Sequence, residues 1–176
     1  GYDMYCRLLD QAVRELKGEP AAQGEVETAI DLNVSAYIDS EYIPIEAQKI
    51  EMYKKIASIR DERDVMDVED ELTDRFGDPP LPVRNLLAIA YIKALASDAG
   101  FSGVTEKNGT VIFQVAEGKQ LDIAMIGKIM GKYRRQLLFN AGKTPYLMYK
   151  IPAAEDDALL DNIKIVLQDI KSFEGQ

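Results

Sequence analysis

The chain has no histidine. That removes Ser-His-Asp and Cys-His nucleophilic chemistry, which needs imidazole, and most zinc chemistry. It has one cysteine, Cys6. A lone cysteine forms no internal disulfide and no CxxC site, and it fits a reducing compartment. Tryptophan is absent, and no apolar run approaches the 18 or so residues a membrane helix needs. Nothing at the N-terminus has the basic start and apolar run of a signal peptide. Gly1 opens directly into a helical pattern, which reads as a fragment of a longer chain.

What is present belongs to a folded, acidic protein. Of 176 residues, 47% are hydrophobic and 29% charged, the composition of a globular domain rather than a disordered one. The formal net charge is −9. Such a chain is repelled by phosphate backbones and anionic membranes, so nonspecific nucleic-acid binding is disfavoured.

Residues 3–17 place Tyr5, Leu8, Leu9, Ala12, Val13 and Leu16 at i, i+3, i+4 spacing, which predicts an amphipathic helix capped by Gly18. Residues 19–26 mix Gly, Pro, Ala and Gln without periodicity and read as a linker, so the helix before them is assigned to a preceding domain. The main domain is expected over 27–176. Within it, 27–34 reads as a strand with Ile30, Leu32 and Val34 on one face. Helices are expected over 45–58, 61–76 and 81–99, the first with an Ile50, Tyr53, Ile56, Ala57 stripe and the last apolar nearly all round. Asn108-Gly109 between 101–107 and 110–115 is a strong hairpin signal. A helix over 121–133, a second hairpin from 136–139 and 146–151, and a closing helix over 158–173 complete the chain. Helices and antiparallel hairpins in blocks predict an α+β fold, a small sheet packed with about five helices.

Three motifs invite chemistry and lose it on inspection. Gly142-Lys143-Thr144 resembles the end of a phosphate loop. However, Leu137 stands where the leading glycine belongs, and Pro145 with a strand pattern follows where a helix is needed. It reads as a hairpin loop, and no nucleotide or other cofactor is expected. Gly127 and Gly131 form a GxxxG spacing, but Lys128 and Lys132 flank it, so it is not a membrane motif. Lys132, Arg134 and Arg135 form a basic spot that suits a helix C-terminus. A nucleic-acid contact through 128–135 is the alternative reading.

The segment from Arg60 to Asp78 is richest. It holds nine acidic residues and three arginines, a net −6 of the total −9. On a helix, Val65, Val68, Leu72 and Phe76 share one face. Asp67, Asp70, Glu71 and Asp74 are expected on the opposite, solvent face. A solvated charged face is the plain alternative. No metal site is expected, because one exposed helix face cannot wrap a cation. Glu71 and Asp74 fall in the last two turns, where the helix dipole is already negative. Acids placed against the dipole point to a basic partner.

Residues 71–80, ELTDRFGDPP, resemble the ELxDRFGxxP signature of the transcription-repair coupling factors (Mfd), in their C-terminal domain. Residues 37–44, YIDSEYIP, are similar to that domain's opening, with Asp39 where the family usually has proline. The helix IEMYKKIA at 50–57 follows. Residues 1–13 resemble the last helix of the family's translocase motor. The resemblance implies a bacterial cytoplasmic protein of many domains that acts on RNA polymerase stalled at DNA damage, uses ATP to move on DNA, and recruits UvrA. It implies that this fragment is a noncatalytic regulatory domain, docked on an N-terminal UvrB-like module and hiding the UvrA-binding surface. Glu71 matches the family's contact glutamate. Asp74 and Arg75 lie in the same motif, with Arg75 alternatively pairing locally at the helix end. Asp67 and Asp70 share the acidic face.

Overall fold

The computed structural model describes residues 26–152 and 158–175. The expected helix at 3–17, its Gly18 cap, the linker up to residue 25 and Cys6 lie outside them. The described residues form two compact units. One is Val34–Ala94; the other joins Val26–Asn33 to the chain from Leu95 onward.

The first unit is helical: α1 (Glu46–Ala57), α2 (Glu62–Phe76) and most of α3 (Leu81–Asp98). Helix α1 buries Tyr53 and Ile56 as expected, but Met52 completes the buried stripe while Ile50 and Ala57 are only half-buried. Helix α2 has a built-in start. The Asp61 carboxylate accepts from the Asp64 N–H at 2.8 Å, and the Asp64 carboxylate accepts from the Arg60 N–H at 2.9 Å. This satisfies donors that the helix itself leaves open. It ends at Gly77, whose φ of 87° favours glycine. Helix α3 buries Val83, Leu86, Leu87, Ile89, Ile92 and Leu95, as expected of a helix apolar all round. Before α1, the Asp39 carbonyl accepts from Tyr42 and Ile43 at 3.0 Å, and its carboxylate accepts from the Glu41 N–H. Aspartate thus supplies a turn braced by its own side chain.

The buried Ile38 N–H donates to the Tyr53 hydroxyl at 2.8 Å. A Tyr53→Phe substitution is expected to destabilise the protein by about 1–3 kcal/mol, the cost of a buried donor left unpaired. Urea titration of the two proteins checks it, and equal midpoints would show that another acceptor replaces the hydroxyl.

The second unit is built on a five-stranded sheet. Its strands are β1 (Ala29–Asp31), β2 (Phe101–Lys107), β3 (Thr110–Val115), β4 (Leu137–Asn140) and β5 (Tyr146–Lys150), in the order β1-β2-β3-β5-β4. Helices α4 (Ile123–Tyr133) and α5 (Leu159–Phe173) complete it. Both expected hairpins form, and Asn108 and Gly109 take the positive φ values, 53° and 78°, that a type I′ turn requires. One pairing differs from a purely antiparallel sheet: β1 runs parallel to β2. Strand β1 keeps only three of the eight expected residues. As an edge strand it has a neighbour on one side only, and its ladder with β2 extends no further than Asp31 and Thr105. Its anchor is Thr28, buried, whose hydroxyl donates to the Phe101 carbonyl at 2.7 Å. The core of this unit holds Phe101 against Phe113, ring centroids 5.5 Å apart, with Met125, Ile129, Ile163, Val166, Leu167 and Ile170 buried on α4 and α5. The fold is α+β, with five α-helices and a mixed sheet among the described residues.

Candidate functional site

The candidate site is α2 and its junction with α1. Leu72 is fully buried, and Val65, Val68 and Phe76 are half-buried. That is the inner face the i, i+3, i+4 spacing predicts. The Tyr42 ring packs edge-on against Phe76, centroids 6.0 Å apart, and its hydroxyl donates to the Gly77 carbonyl at 2.7 Å. Arg84 donates to the Pro79 carbonyl at 3.0 Å and pairs with Glu69 at 2.9 Å. The end of α2 is thereby tied to the segment before α1 and to the start of α3.

Asp67, Asp70 and Asp74 are exposed, as expected, and have no partner among the described residues. Glu71 corrects the expectation: it is not on the outward face. It stands three residues after Val68 and beside Leu72, so it flanks the inner face and turns toward α1. Lys55 Nζ meets its carboxylate at 2.6 and 2.8 Å, and Arg75 Nη1 reaches it at 2.8 Å. Glu51 joins both cations, 3.1 Å from Arg75 and 3.3 Å from Lys55. Two acids and two bases thus alternate across the α1–α2 junction. The Arg75 guanidinium also lies 4.9 Å from the Phe76 ring centroid. This is the local pairing foreseen as the alternative for Arg75. The dipole reading also narrows, because Glu71 already has its cations within the chain and only Asp74 is left against the helix end without one.

Lys55 and Glu51 are the residues the reading of the sequence missed. A signal was available: Glu51 and Lys55 are an i, i+4 acid–base pair on the helix adjoining α2. Nothing local says that α2 lies beside it.

The network shifts its members as ion pairs should. The Lys55 ammonium holds the Glu71 carboxyl below the usual range, with Arg75 adding to it. Arg75, then Lys55, hold Glu51 low. Glu71 raises Lys55 in return. A carboxyl whose folded pKa is depressed binds fewer protons folded than unfolded. Its stabilisation is therefore complete above the ordinary glutamate value of about 4.3 and is lost as pH falls through the lowered one. Thermal unfolding followed from pH 7 to pH 3 should show a shallower loss of stability in Glu71→Gln than in the parent chain. Parallel curves would mean the pair contributes nothing. Glu71→Lys puts a third cation beside Lys55 and Arg75. It is expected to cost roughly 1 kcal/mol, the upper end for solvent-screened pairs. Differential scanning calorimetry checks it, and an unchanged midpoint would show that the network rearranges without loss.

The basic segment is partly committed within its own unit. Lys132 pairs with Asp169 of α5 at 2.7 Å, and the Tyr133 hydroxyl donates to the same carboxylate. Burial, then Asp169, push the Tyr133 phenol well above its usual range. Arg134 and Arg135 are exposed in a turn of 3-10 helix after α4. Gly142-Lys143-Thr144 lies in the β4–β5 loop, with strands on both sides as its sequence predicted. A Cβ at Gly127 or Gly131 would meet nothing within 4 Å, so the GxxxG spacing marks no close helix contact. Among the described residues, no group of three or more Cys, Asp or Glu is disposed to hold a metal ion, and no helix is long and apolar enough to cross a membrane.

A solved crystal structure of the C-terminal domain of a transcription-repair coupling factor superposes with a TM-score of 0.77. It is 24% identical and covers 88% of this chain and 98% of its own. That establishes the fold class. A sequence profile of the TRCF domain matches residues 32–126, more than half of the chain. The transcription-repair-coupling factor of Staphylococcus aureus (strain USA300) is 37% identical over 142 residues, 80% of this chain and 11% of that protein. The one from Staphylococcus haemolyticus (strain JCSC1435) is 32% identical over 188 residues, 99% of this chain and 15% of that protein. The chain belongs to the TRCF domain family, the C-terminal domain of the transcription-repair coupling factors. It spans about a seventh or less of the length of these relatives.

Proposed function

We propose that this chain is a noncatalytic regulatory domain that docks, through the outer face of α2, on an N-terminal UvrB-like module of its parent protein. Docking hides the UvrA-binding surface and restrains an ATP-driven DNA translocase until it engages stalled RNA polymerase. The observation that carries the reading is the row Asp67, Asp70 and Asp74. These three exposed carboxylates have no described partner, on a helix whose other side is braced by Leu72, Tyr42 and the Lys55–Glu71–Arg75–Glu51 network. A rigid acidic edge suits a basic protein surface, and desolvated charge pairs there couple far more strongly than exposed ones. Glu71 and Arg75 act mainly by holding this edge in place, and Glu71 reaches the partner only by sharing its cations. The absence of histidine and the single cysteine in the sequence support a noncatalytic role. The parent's place in the cytoplasm, and a boundary near residue 27 that leaves 1–18 as a motor helix, belong to the same proposal. Calorimetric titration of this chain with the UvrB-like module tests it. Saturable 1:1 binding that weakens with salt is expected, and no heat at high micromolar concentrations would overturn it.

A further inference from the structure

Between α1 and α2 lies an open groove of about 400 Å³. Its walls come from different helices. Lys54, Lys55 and Ser58 stand on the α1 side, and Asp64, Asp67, Val68 and Glu71 on the α2 side, with Ile59 at the bottom. Val68, half-buried, gives the floor its accessible apolar surface, and Ile59 lies almost fully buried beneath it. The Lys55–Glu71 pair bridges the two walls and neutralises itself. Asp64 is occupied with the Arg60 N–H. Lys54 on one wall and Asp67 on the other have no partner among the described residues. The groove is therefore dipolar, with one free cation and one free anion separated by an apolar floor.

A groove of this kind selects a shape and a polarity together. A purely basic surface would meet Lys54, and a purely apolar one would strip water from two unpaired charges, which is costly. The occupant that satisfies all three features carries an apolar side chain flanked by one acidic and one basic side chain. On a helix, residues three or four apart present such a set along one face. The volume is at the lower end of the range of about 300–1,000 Å³ seen for ligand clefts, enough for one such side chain and its neighbours. We propose that this groove receives a helix of the docking partner, an apolar anchor on Val68 above the buried Ile59, with its acid on Lys54 and its base on Asp67. The proposal rests on the docking reading above and adds the orientation and specificity of the contact.

The two charges give a test that separates local pairing from net charge. Lys54→Glu and Asp67→Lys change the net charge in opposite directions by the same amount, and together they leave it unchanged. The probe is the UvrB-like module, titrated calorimetrically against each variant of this chain. Each single reversal is expected to weaken binding at least tenfold, and the double variant further still, because both partner charges then face their like. Restoration of parent affinity in the double variant would overturn the groove and leave only a long-range charge effect. Ser58→Trp tests the space without touching charge. Ser58 is exposed and loses only a solvent-exposed hydroxyl bond to the Lys54 carbonyl, so the variant should fold with a little-changed melting temperature and bind at least tenfold more weakly. If the parent chain binds the module and all these variants bind equally well, the groove is overturned and Asp67 leaves the docking face, while the docking reading stands on Asp70 and Asp74 alone. If the parent chain itself does not bind, both fall.

Discussion

Asp70→Lys together with Asp74→Lys should weaken docking to the UvrB-like module at least a hundredfold, while the fold is unaffected. Two tenfold steps correspond to about 2.8 kcal/mol. That lies inside the range of roughly 1.5–7 kcal/mol by which single close charge pairs couple at interfaces. Neither aspartate has a partner among the described residues, so their reversal breaks no internal pair described here. Lysine at position 74 also suits the negative end of α2, a gain of about 0.3–1 kcal/mol. Melting temperature should therefore stay level or rise as affinity falls. In the parent protein the same substitutions should increase UvrA binding, because the surface that docking hides is released. Pull-down of UvrA by the full-length variant, alongside calorimetry on this chain, reads both. Unchanged affinity in a folded double variant would remove the outer face of α2 from the interface.

Leu72→Ala is expected to have the opposite profile. Leu72 is fully buried and is the one residue of α2 that is. Leucine-to-alanine changes in cores cost about 2–5 kcal/mol, through lost transfer free energy and the cavity left behind. In a chain of this size that corresponds to a drop in melting temperature on the order of 10 °C. Binding should weaken as well, because the row of aspartates loses the anchor that orients it. The two variants together separate a surface that recognises from a side chain that positions. Loss of stability in the surface variant, or none in the core variant, would reverse that division. Calorimetric melts of both chains decide it.

Much of the site was legible because helix geometry is local. The spacing of Val65, Val68, Leu72 and Phe76 defines an inner face, and Asp67, Asp70 and Asp74 follow as its opposite. Asp61 before the helix and Gly77 after it are terminus signals that need no tertiary context. Glu71 was misplaced because a residue at the flank of an apolar stripe can turn either way. Its orientation depends on whether a cation stands on the neighbouring helix. Lys55 does, sixteen positions earlier, and no periodicity in α2 reports it.

The same division runs through the fold. The sequence by itself determined the five helices of the described residues, both hairpins, the type I′ turn at Asn108-Gly109 and the α+β class, since each depends on patterns within a dozen or so residues. It also determined the family, through the run from Glu71 to Pro80. Tertiary structure alone decided three things. It paired β1 in parallel with β2, at a sequence separation of more than seventy residues, and trimmed that strand to the part with a ladder. It converted Glu71 from a solvent-facing acid into the centre of an ion-pair network. It left Lys54 and Asp67 unpaired on opposite walls of one groove. The physical reason is common to all three. A backbone ladder, an ion pair and a groove each need two groups from distant parts of the chain within a few ångströms. Only the packing of one element on another brings them there.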